Sequence, residues 1–344
     1  MRVIRGLATG VGSLPHREPG AALDLIFKYV PRAPFWPQLP KRHPAEGMVA
    51  QFIENLPCLK LKEGSVVFDP RDQERELESF YEKVISEDLE YFRISEEFAL
   101  GLHGFFRRLN SVDPKNMDFI KLQVTGPFTF LAGIRDEAGL TLLHNPVFKQ
   151  AMIKALSMKL RWQVSFFRKF GRPALAFIDE PYLGAFGSAY TPINREDVIR
   201  SLSELAEGVK DGNVLLGVHC CGNTDWSIFT DIPAIDLINF DAFSFQDKFT
   251  LYADNLKGFL QRGGIICWGI VPTQEFSGKE DARALAAKLR QGIGSLVKKG
   301  VEERLLWEQM IISPACGLGT FDPQKAEQIF DLLAQTSDLI RKNP

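Results

Sequence analysis

The sequence predicts an α/β fold, a single (β/α)8 TIM barrel with an insertion after the second strand, on three observations. Short β-rich runs alternate with longer amphipathic segments, the signature of repeated βα units and a parallel sheet. The runs number eight, and 344 residues suffice for one large barrel. No internal repeat or low-complexity linker divides the chain, so we expect one domain over residues 1–344.

In order, the expected strands are GLATGVGSLP (6–15), PFWPQLP (34–40), FIKLQVTGP (119–127), ALAFIDEP (174–181), NVLLGVHCCG (213–222), DLINFDAF (236–243), GIICWGIVP (264–272) and MIISPACG (310–317). Helices fill the gaps with apolar residues at three and four spacing, as in Val198, Leu202 and Leu205, or Leu285, Leu289, Ile293 and Leu296. Asn145-Pro146 and Asp322-Pro323 each place a capping side chain before a proline suited to a helix start. Residues 41–118 are too long for one connection. With SVVF and the helical run ERELESFYEKVISEDLEYF (Leu77, Tyr81, Val84, Asp88), they predict an insertion of a hairpin-like piece and one or two helices covering the barrel mouth.

The composition, 45% hydrophobic and 24% charged, is that of a globular protein, and a net charge of −2 removes the electrostatic case for nucleic acid. The N-terminus meets Gly and Pro too early for a signal peptide, and no apolar run approaches the roughly 20 residues a membrane helix needs. A cytoplasmic protein with no membrane partner is the expectation. Five cysteines (Cys58, Cys220, Cys221, Cys267, Cys316) form an odd, sparse set, which argues against a disulfide framework and leaves metal binding or burial.

Barrel sites are built at the C-terminal strand ends. Side chains alternate along a strand, so His219 and Cys221 face together and Cys220 faces away. Imidazole and thiolate are preferred zinc ligands. Asp241 closes the next strand and Cys316 the eighth, so these four can converge at the mouth; packing of any single cysteine is the plain alternative. In FIDEP, Asp179 and Glu180 face oppositely, which disfavours a paired acid and base. One should reach the mouth, to hold an ammonium group or a neighbouring loop. Gly residues in TGVGSLP and VTGPF allow close backbone approach, and Ser13 could donate to a carboxylate. Phe35 and Trp36 could suit a planar donor or pack under the insertion.

With GSLP, TGP, IDEP, His-x-Cys at 219 and 221, Asp241 and PACGLGT at 314–320 in order, the chain resembles the C-terminal catalytic barrel of cobalamin-independent methionine synthase. That family shares its barrel type with uroporphyrinogen decarboxylase. The resemblance implies a zinc that binds the homocysteine thiol as a thiolate, so that the nucleophile is the substrate and not a protein residue. It matches His219, Cys221 and Cys316 to the zinc ligands, and Ser13 and Asp179 to residues that hold the amino acid. Glu46, in HPAEGMVAQF, is the nearest candidate for the glutamate that also contacts it.

Three departures inform the reading. The family's carboxylate ligand is Glu where Asp241 stands, one methylene shorter. The full-length enzymes carry an additional N-terminal barrel, so this chain reads as a core-only form. Their proton-transferring histidine after strand seven is replaced by Ile270 in CWGIVPT. Methyl on a tertiary folate amine leaves only when the nitrogen is protonated, whereas methyl on cobalt needs no proton, so a methylated corrinoid protein is the expected donor in preference to methylfolate. Two alternatives remain: an alkyltransferase acting on another small thiol such as coenzyme M, and a non-enzymatic zinc- or thiol-binding module.

Overall fold

The computed structural model describes residues 4–188, 191 and 193–342. Its strands are β1 (Leu7–Ala8), β2 (Leu59–Lys62), β3 (Ser65–Phe68), β4 (Ile120–Thr125), β5 (Ala174–Asp179), β6 (Val214–Cys220), β7 (Leu237–Phe240), β8 (Ile265–Val271) and β9 (Met310–Pro314). Seven of them form one curled sheet in the order β1-β9-β8-β7-β6-β5-β4, every neighbouring pair parallel. β2 and β3 pair antiparallel as a separate hairpin.

Two expected strands differ. The first shortens to Leu7–Ala8. The second, PFWPQLP, forms no ladder, because Pro34, Pro37 and Pro40 carry no N–H to donate. It makes single parallel bridges instead, Phe35 to Lys121 on β4 and Gln38 to Ser13 beyond β1. Lys121 N donates to Pro34 O (2.9 Å) and Leu14 N to Gln38 O (2.9 Å), so this segment stands between the sheet's two edge strands. Phe35 and Trp36 are fully buried: Phe35 stacks on Phe330, and Trp36 Nε1 donates to Gln163 Oε1 at 2.9 Å. Packing thus uses both rings, and neither faces a donor.

Alternation along the strands sorts side chains into two cores. Leu175, Phe177, Leu237, Cys267 and Ile311 pack on the inner face, while Ile178, Val218, Cys220, Phe240 and Trp268 pack against the surrounding helices. The inner face becomes polar towards the strand ends, where Gln123, Asp179, His219, Asn239 and Ser313 are all buried. Asn145 caps the helix Pro146–Phe167 by accepting from Val147 N and Phe148 N, and Asp322 accepts from Lys325 N at 2.7 Å. Among the described residues no helix is long and apolar enough to cross a membrane.

Residues 41–118 contain the β2–β3 hairpin and the helices Gln73–Ile85 and Leu100–Leu109. The predicted helical run stops at Ile85, since Glu87 takes a positive φ of 51° and Asp88 opens a separate short turn. Lys159 pins this segment to the helix Pro146–Phe167: it is fully buried, and its Nζ donates to Glu54 O at 2.9 Å. Burial pulls its pKa down to about 7, against the opposing pull of Glu54. The unfolded lysine titrates near 10.5, so between those values the unfolded chain holds a proton that the folded chain does not. This contribution is full above that window, shrinks as pH falls through it, and amounts to about 5 kcal/mol. Denaturant unfolding at several pH values should therefore show Lys159→Met losing ground to the wild type as pH rises from 7 to 10; a pH-independent difference would refute the assignment.

Candidate active site

His219 is the last inward-facing residue of β6, 3% exposed, and Cys221 follows one residue past the strand. Cys316 lies two residues beyond β9. One ligand atom from each of these three lies within 4.8 Å of the others. Cys220 points the other way, fully buried, with its thiol towards Gly222 O. All five cysteines are free.

Asp241 is not part of this set. The chain turns into the helix Ala242–Phe249 directly after β7, and Asp241 caps that helix by accepting from Ser244 N at 2.8 Å. Four residues meet in the sequence reading; three meet in the fold. A residue the motifs did not flag stands nearby: Asn239, whose Oδ1 is 2.6 Å from His219 Nδ1, which leaves Nε2 for ligation. Its only signal in the sequence is a polar residue inside an otherwise apolar buried strand.

One imidazole and two thiols form an N/S donor set of the kind zinc prefers. Hydrogen bonds from Cys221 and His219 hold the Cys316 thiol well below its ordinary range, against the effect of burial. The same contact, with burial, pushes Cys221 above that range. These contacts favour the thiolate, the form that binds metal, at Cys316 over Cys221.

The two acids of FIDEP separate as alternation requires. Glu180 is fully buried and accepts from Phe128 N (2.9 Å), Thr129 N (2.8 Å) and Thr129 Oγ1 (2.6 Å), tying β5 to the short helix Pro127–Ala132. A Cβ on Gly126 would fall 2.3 Å from the Glu180 carboxyl, which is why TGP needs its glycine. Asp179 faces inward beside His219, its register partner on β6. It is 5% exposed, and its Oδ1 has no hydrogen-bond partner. Burial raises its pKa to about 6, opposed by Lys121 and His219.

A cavity of about 930 Å³ opens at these strand ends, lined by His219, Cys221, Cys316, Asp179, Ser13 and Glu46 among others. Ser13 Oγ accepts from Gly319 N at 3.3 Å, and a Cβ on Gly317 would sit 2.2 Å from it, so the PACGLG turn packs directly on Ser13. Glu46 is 1% exposed and already engaged, paired with Arg42 and accepting from Leu39 N at 3.2 Å. Met48 and Pro40 add apolar wall. Ile270, fully buried on β8, does not line the cavity.

The architecture has solved counterparts. The chain is similar to the structure of a B12-independent methionine synthase from Shewanella sp. W3-18-1 in complex with selenomethionine, with a TM-score of 0.57, 16% identity and 98% of each chain covered. It is also similar to the structure of a putative vitamin-B12 independent methionine synthase from Listeria monocytogenes, with a TM-score of 0.53, 14% identity, and 94% of this chain and 85% of that chain covered. The fold is the one those proteins share. No family model and no curated protein matches the sequence. At such low identity the agreement is one of backbone architecture, and the chemistry rests on this chain's own side chains.

Proposed function

We propose that this protein is a zinc-dependent S-methyltransferase that methylates a small thiol, homocysteine, to give methionine. The observation that carries the proposal is one cavity holding both a His219–Cys221–Cys316 donor set and a buried, unpartnered carboxylate oxygen on Asp179. Zinc held by these three residues would keep a position open for substrate and supply the Lewis acidity that deprotonates a bound thiol.

The chain's own groups do the rest. Asp179 accepts the substrate ammonium, which relieves a carboxylate that burial otherwise penalises. Ser13 offers a hydroxyl to the substrate carboxylate, and Glu46, held by Arg42, contributes to the amino-acid end of the pocket. Together these favour an amino-acid thiol over coenzyme M, which has no ammonium. The Shewanella structure is a complex with selenomethionine, an amino acid that resembles the methylated product and not the thiol. A scaffold role fits less well, because three converging ligands beside a large cavity leave room for a substrate. The proline-rich segment at 34–40, bridging both sheet edges, serves in this reading as the eighth strand of a (β/α)8 barrel, with residues 41–118 inserted after it. Asp241 caps its helix through Oδ1 and in this reading acts on the metal through water.

For the donor, His219 is the only histidine among the described residues lining the cavity, and its ring is committed to the donor set. With Ile270 packed away, no imidazole remains to protonate a folate amine, which favours a corrinoid protein whose cobalt releases methyl without a proton. The test is methyl transfer by zinc-loaded protein to homocysteine or coenzyme M, each with methylcobalamin or methyltetrahydrofolate. Homocysteine with methylcobalamin should be fastest. Preference for coenzyme M would overturn the acceptor, and equal rates from both donors would overturn the corrinoid.

A further inference from the structure

We infer that Asn239 is the positioning residue of the donor set: it holds His219 with a proton on Nδ1 and so leaves Nε2 as the nitrogen for the metal. The inference rests on the metal reading above and adds a residue that reading does not contain.

His219, Asn239 and Cys267 are consecutive register partners across β6, β7 and β8, so their inner faces are brought side by side. Asn239 is 3% exposed and its amide is fully used: Nδ2 donates to Cys267 O at 2.9 Å and to Ser313 Oγ at 3.0 Å, while Oδ1 meets His219 Nδ1 at 2.6 Å. The backbone excludes the reversed amide. Cys267 O can only accept, so an oxygen placed against it would face another acceptor. Ser313 Oγ also lies 2.9 Å from Pro314 O, an acceptor for its own hydrogen, which leaves its oxygen available to accept from Asn239. With the amide fixed, Oδ1 is an acceptor at His219 Nδ1, and that nitrogen must carry the proton.

The consequence is chemical. A neutral imidazole with its proton on Nδ1 has one lone pair, on Nε2, and outer hydrogen-bond partners of this kind set the orientation and basicity of ligating histidines. Both residues are 3% exposed, so bulk water cannot replace the missing acceptor. The same amide links the strand carrying His219 to Ser313, three residues before Cys316, and so ties two ligands to one frame.

The test uses the full chain. In zinc-loaded wild type, long-range 15N–1H correlations of the histidine that shifts on adding zinc should show a proton on Nδ1 and none on Nε2. Chelator competition should find zinc affinity reduced about 10- to 100-fold in Asn239→Leu, the range typical for losing such a partner. Asn239→Asp keeps the acceptor but loses both donated bonds, so it should retain affinity within about threefold while its Tm falls; this separates positioning from mere structural support. A proton on Nε2 in the wild type, or unchanged affinity in Asn239→Leu, overturns the inference while leaving the metal reading intact. Wild type that takes up no zinc overturns the metal reading itself. Should Asn239→Leu fail to fold, the wild-type spectrum still decides.

Discussion

Cys316→Ser should yield a folded protein that neither retains zinc nor transfers methyl. Cys316 is the thiol whose pKa its neighbours lower, through hydrogen bonds from Cys221 and His219. A serine hydroxyl stays protonated at neutral pH and is a poor zinc ligand, so the set falls to one imidazole and one thiol whose ionisation is opposed by burial. Loss of a direct ligand should exceed the roughly 100-fold ceiling seen when only an outer hydrogen-bond partner is removed. Metal content by elemental analysis and methyl transfer should fall together. A variant that keeps stoichiometric zinc would refute the ligand assignment, and one that loses zinc but keeps activity would refute the mechanism. Cys220→Ser, at the buried position next to Cys221 but facing the helices, should leave zinc content unchanged.

Asp179→Asn should impair homocysteine selectively. Removing one partner of a buried charge pair costs about 2–5 kcal/mol, or roughly 30- to several-thousand-fold in kcat/KM. The reference thiol is 4-mercaptobutanoate, which keeps the thiol and carboxylate but lacks the ammonium; with it, wild type and variant should differ by less than about threefold. The pH dependence follows from the raised pKa of about 6. A carboxylate that must be ionised to hold an ammonium is mostly protonated below that value, so wild-type kcat/KM for homocysteine should climb as pH rises through 6 and then level off. Asparagine does not titrate, so this limb should vanish in the variant. Apoprotein stability should not fall, since the substitution removes a buried carboxylate whose Oδ1 is unpartnered. Equal losses with both thiols, or a large drop in Tm, would show that Asp179 serves the fold and not the substrate.

The contrast between neighbouring residues shows how far one-dimensional pattern carries. Period-two alternation separates His219 from Cys220, and Asp179 from Glu180, because a β-strand leaves each side chain only two directions. It does not tell which acid is satisfied: Glu180 finds three donors at Phe128 and Thr129, on a helix more than 50 residues earlier, while Asp179 Oδ1 finds none. Likewise Asp241 reads as a strand-end carboxylate suited to a metal, but the chain enters a helix at the next residue, and the orphan Ser244 N–H takes the carboxylate first. The second strand fails for a local reason that was visible in its three prolines, although the apolar pattern outweighed them.

By itself the sequence determined the βα alternation, six of the parallel strands, the helix caps at Asn145 and Asp322, and the faces on which the chemistry-bearing residues lie, all of which depend on neighbours within a few positions. Only the tertiary structure decided which of those residues meet. The gathering of His219, Cys221 and Cys316, the isolation of Asp179, the diversion of Asp241 into a cap and the placement of Asn239 against His219 depend on strand register. Register is set by packing between segments 20 to 100 residues apart, where a shift of one residue would turn every inward side chain outward.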